Sequence, residues 1–67
     1  MYNSALITAL FPNGGETYKY SELKEWLMSQ LGLSARQAAG TVGAEVRYGY
    51  ITVATYASQT GEAIFVR

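Results

Sequence analysis

The sequence predicts one small α+β domain spanning residues 1–67. Three observations lead there. A chain of 67 residues has room for a single hydrophobic core. Its middle carries two stretches with apolar residues at helical spacing, separated by the turn-like "LGLS". Its last third alternates with period two on both sides of a Gly-containing turn, the pattern of a hairpin.

The first element is "YNSALITALF". Leu6, Ala9 and Leu10 share a helical face, with Tyr2 one turn earlier, and Asn3 or Ser4 can cap it. The run "ALITALF" also suits a strand, because Ile7 and Thr8 are β-branched; helix is the preferred reading. "PNGG" ends whatever precedes it. In "ETYKY", Tyr18 and Tyr20 fall on one side of a short extended segment, with Lys19 opposite.

The next element is a helix opened by Ser21 as N-cap, with Glu22 and Glu25 in its first turn, where the helix dipole favours negative charge. Leu23, Trp26, Leu27 and Leu31 form its core stripe, and Gly32 stands where a C-terminal glycine is expected. "SARQ" then reads as a capping box, in which Ser34 and Gln37 satisfy each other's backbone N–H groups. In the helix that follows, Ala35, Ala38, Ala39, Val42 and Val46 make the inner face. Arg36, Gln37, Gly40, Thr41 and Ala44 point away. Gly40 and Gly43 each cost about 1 kcal/mol against alanine, and close backbone approach is the expected compensation.

The last element is a hairpin. "YGYITVATY" sets Ile51 and Val53 on one side, with Tyr50, Thr52, Ala54 and Tyr56 on the other. "ASQTGE" is the turn, with Gly61 suited to a positive φ. "AIFVR" returns with Ile64 and Val66 on one face and Phe65 on the other.

Composition narrows the function. The chain has no Cys, no His and no Asp, so disulfides, thiolate or imidazole metal sites and His-based catalysis are excluded. A serine nucleophile would have only lysines and glutamates as base, and "NGGE" is too short and lacks the lysine of a phosphate loop. No enzyme activity and no cofactor are expected. Five basic residues balance five acidic ones, so no excess positive charge advertises nucleic acid. No run approaches the ~20 apolar residues of a membrane span, and "SALITALF" is a poor signal peptide. A cytoplasmic protein without membrane contact is expected.

The order helix, short strand, helix, tight turn, helix, hairpin resembles the winged helix-turn-helix family over nearly the whole chain. The residues "YSELKEWLMSQLGLSARQAAGTVGAEV" and "YITVATYASQTGEAIFVR" carry the resemblance. "LGLSARQ" looks like the turn entering the recognition helix, and "TYKY" sits where a short strand pairs with the wing. The resemblance implies a small DNA-binding transcriptional regulator. Its 34–47 helix would enter the major groove and its 57–62 wing tip would meet the backbone. Ser34, Arg36, Gln37 and Thr41 are then base-edge candidates; Lys19, Arg47, Ser58, Gln59 and Thr60 are phosphate candidates. Double-stranded DNA is the implied partner, bound by a homodimer or with a larger protein. Two departures stand out. The wing has no Lys or Arg between Arg47 and Arg67, and Glu45 lies near the end of the recognition helix.

Those departures, with six tyrosines in a neutral chain, support an alternative: a protein-interaction module, adaptor or inhibitor, on the same fold. Gly40, Tyr48, Tyr50 and Tyr56 would then form the contact surface.

Overall fold

The computed structural model describes residues 4–67. Tyr2 and Asn3, expected in the first helix, lie outside the described residues. Six elements follow in order: α1 (Ala5–Leu10), β1 (Thr17–Lys19), α2 (Tyr20–Leu31), α3 (Ala35–Arg47), β2 (Thr52–Tyr56) and β3 (Ala63–Val66). The molecule is a small α+β domain. The expected hairpin forms, and β1 joins it, so the antiparallel sheet has three strands in the order β1-β3-β2.

Ser4 caps α1: its hydroxyl oxygen accepts from the Ile7 N–H at 3.1 Å. Leu6 is buried, with Ile7 and Leu10 packed beside the core, but Ala9 is exposed. The buried set is completed by Phe11, just past the helix, whose ring meets Tyr18 edge-on at 5.2 Å. The Arg67 guanidinium donates to the Phe11 carbonyl at 3.3 Å, which ties the end of the sheet to the end of α1.

The start of α2 departs from expectation. Ser21 is not the N-cap; Lys19 is, and its backbone N–H donates to the Glu22 carboxylate at 2.8 Å. The Ser21 N–H is instead taken by the Glu62 carboxylate, delivered by the hairpin. A tertiary acceptor thus does the work assigned to a local one. At the other end Gly32 adopts φ 67°, the left-handed conformation that closes a helix without a Cβ penalty. Leu31, the last residue of the helix, is 49% exposed, and Leu33, just past the turn, packs against the core in its place.

Helix α3 opens with the expected capping box. Ser34 Oγ accepts from the Gln37 N–H at 3.1 Å, and Gln37 Oε1 accepts from the Ser34 N–H at 2.9 Å. It closes on a Schellman turn. The Tyr50 N–H reaches the Glu45 carbonyl, the Gly49 N–H reaches the Val46 carbonyl, and Gly49 takes φ 80°. This turn displaces the expected strand start: residues 48–51 wrap the helix end, and pairing begins only at Thr52.

Leu6, Phe11, Leu23, Leu27, Ala38, Val42, Ile51 and Phe65 make one core, flanked by Tyr18, Tyr20, Trp26 and Leu33. In the sheet, Tyr18, Phe65 and Val53 lie opposite one another and share the inner face. An irregularity between Val53 and Thr55 then shifts the register, so that Tyr56 pairs with Ala63. Ala63 is on the same side of β3 as Phe65, so Tyr56 also faces inward, against the simple alternation that put it opposite Val53.

Candidate nucleic-acid interface

The buried residues of α3 are Ala38, Val42 and Glu45, at spacings of four and three. That stripe differs from the expected one. Ala35 and Val46 are exposed, and Ala39 is only half-buried. Glu45 is 1% exposed, and its carboxylate accepts a hydrogen bond from the buried Ser4 hydroxyl. The one acid of this helix therefore belongs to the interior, where its charge is directed at the α1 cap.

With the inner face so placed, the opposite face follows from helix geometry. Arg36, Gly40, Gly43 and Arg47 recur at intervals of four, three and four residues, and all are exposed. Eleven residues at 1.5 Å each set the two arginines about 16 Å apart along the axis. Between them the floor is glycine. A Cβ placed on Gly40 or Gly43 would meet nothing within 4 Å. The expected close approach is thus absent inside the chain; no described neighbour requires either glycine.

The other base-edge candidates are committed locally. Ser34 and Gln37 hold each other's backbone, although the Gln37 amide NH₂ is left to donate. Thr41, expected to point outward, is half-buried, and its hydroxyl donates to the Gln37 carbonyl at 2.9 Å. Ala44 is half-buried as well. Among these candidates Arg36 alone extends a charged group.

The phosphate candidates fall in separate places. Arg47 joins the α3 stripe. Lys19 is exposed, but it alternates with the inward Tyr18 and so lies on the outer face of the sheet. Ser58, Gln59 and Thr60 are exposed at the hairpin tip. There Thr60 Oγ1 donates to the Glu62 carboxylate at 3.4 Å. The Ser21 hydroxyl and backbone N–H, with Thr60 and the charge of Lys19, hold the Glu62 carboxyl below its ordinary range. The tip therefore presents polar side chains and an anion, without a cation of its own.

Of the candidates for a protein contact, Tyr48 and Tyr56 are 68% and 63% exposed, Gly40 is exposed, and Tyr50 is half-buried. A shallow groove of about 480 Å³ runs along α2, lined by Ser21, Lys24, Glu25, Met28 and Ser29. Lys24 lies over the Tyr20 ring, 5.2 Å from its centre. Among the described residues no three carboxylates gather as metal ligands, and no helix is long and apolar enough to cross a membrane.

Sequence reasoning missed two residues that shape this surface. Glu45 stands in register with Ala38 and Val42, so its spacing placed it inside while its charge argued for outside. Glu62 gave no local signal, because its partner is 41 residues away. No protein-family model, curated protein or solved structure matches the chain.

Proposed function

We propose that this protein is a small DNA-binding regulator of winged helix-turn-helix type, which lays the outer face of α3 against duplex DNA. One observation carries the reading: Arg36 and Arg47 flank an open glycine floor on a helix whose only acid is buried. Two cations at the ends of a flat surface let backbone approach backbone, with a guanidinium reaching a phosphate or base edge on each side. The element order and the β1-β3-β2 sheet support the architecture.

The grip is weak. Two phosphate contacts give a salt slope of about −1.8, a loss of roughly tenfold in affinity between about 50 and 200 mM salt. Fluorescence anisotropy on a labelled duplex tests this. Arg36→Ala and Arg47→Ala should each flatten the slope by about 0.9. No retention of duplex by the wild-type chain at about 50 mM salt overturns the proposal.

The bare hairpin favours a second reading, a protein-interaction module. Tyr48 and Tyr56 are exposed aromatics beside an uncharged strand, and aromatic side chains anchor protein interfaces. A stoichiometric protein partner lost on Gly40→Leu or Tyr56→Ala, in a chain that ignores DNA, would support it.

A further inference from the structure

The sheet has two edges, and they are built differently. Edge strand β1 has three residues, ends on Lys19 and passes directly into α2. Edge strand β2 is Thr52-Val53-Ala54-Thr55-Tyr56. All five residues are exposed, none is charged, none is proline, and four are β-branched or aromatic. Natural edge strands are guarded by lysines, prolines or a cover, because their outward N–H and C=O groups are a template for another strand. Among the described residues the only guard is the register irregularity at Ala54.

We propose that β2 pairs antiparallel with β2 of a second copy of this chain, forming a continuous six-stranded sheet across a twofold axis. The irregularity lets the two large side chains of the strand meet across the twofold axis. In a regular strand Val53 and Tyr56 would point to opposite faces. Here both face inward, opposite Phe65 and Ala63. A twofold pairing can therefore set Val53 against Tyr56 of the second copy, and Tyr56 against its Val53, with both side chains on the inner face. Val53 is 38% and Tyr56 63% exposed in one copy, on the side of the sheet that holds the core. Pairing extends that apolar face over the junction. No like charges oppose each other along the strands, and the zero formal charge of the chain sets up no repulsion between copies.

Size decides the strength. A five-residue edge falls well below the roughly 800 Å² per partner of a standard stable interface, so the dimer is weak and concentration-dependent. The inference does not rest on DNA binding, since the α3 stripe takes no part in it.

Sedimentation equilibrium from about 10 μM to 1 mM tests the pairing, with Thr55→Lys and Tyr56→Lys as variants that place charge on the edge. The wild-type chain should dimerise within this range. Each lysine should raise the dissociation constant at least about tenfold while leaving the circular dichroism spectrum unchanged. Hydrogen exchange of the wild-type chain gives an independent measurement: β2 amides should gain protection as concentration rises. A chain that stays monomeric to about 1 mM, a dimer indifferent to both lysines, or β2 amides whose exchange ignores concentration overturns the inference. Duplex binding weakened by Arg36→Ala but unchanged in Thr55→Lys would separate its failure from that of the DNA-binding proposal.

Discussion

The Ser4 hydroxyl donates a hydrogen bond to the Glu45 carboxylate inside the core, joining the first turn of α1 to the last turns of α3. Ser4 serves twice, because the same oxygen accepts from the Ile7 N–H. One side chain thus starts a helix and provides a donor to a buried carboxylate. The consequence reaches the surface: with Glu45 held inside, the outer face of α3 keeps Arg36 and Arg47 without an opposing acid.

Replacing Ser4 with Ala should therefore cost more than a cap. Loss of the cap costs about 1 kcal/mol. Loss of a donor to a buried acceptor adds about 1–3 kcal/mol. Ser4→Ala should destabilise the fold by about 2–4 kcal/mol, a large part of the roughly 3–10 kcal/mol expected for a chain of this length. Urea unfolding monitored by circular dichroism measures it.

Gly40 and Gly43 should separate stability from binding. Nothing lies within 4 Å of a Cβ at either position. Gly40→Ala and Gly43→Ala should each stabilise the fold by about 1 kcal/mol through helix propensity. If the glycine floor meets DNA, the same substitutions should weaken duplex binding. A rise in the melting midpoint with unchanged anisotropy would place the DNA contact elsewhere.

Glu62 should make the fold acid-sensitive. Hydrogen bonds from Ser21 hold its folded pKa below the ordinary value. A carboxylate with a depressed folded pKa contributes stability above its unfolded pKa, and loses it as pH falls through the folded value. Glu16 shifts in the same direction, through backbone N–H groups of its own turn and the Asn13 side chain. Melting temperatures should hold from neutral pH down to about 5 and fall below about 4. In Glu62→Ala the neutral-pH midpoint should be lower and the acid slope shallower. An acid slope equal to that of wild type would count against the Ser21–Glu62 cap.

Local signals determined much of this protein from sequence alone. The Ser34–Gln37 capping box, the Gly32 helix stop, the Leu23–Leu27 stripe and the alternation around Phe65 each rest on contacts within a turn or on strand periodicity, and each took the expected form. What only the tertiary structure decided depended on partners distant in the chain. Ser21 lost its capping role because Glu62 arrives from the hairpin. Glu45 went inside because Ser4 offers a buried donor. Tyr56 changed face because one irregular residue resets the register against β3. Leu31 stayed at the exposed end of its helix, and Leu33, beyond the Gly32 turn, packed against the core instead. A side chain's periodicity shows which face of its own element it occupies. Whether that face becomes core, cap or binding surface depends on the element packed against it.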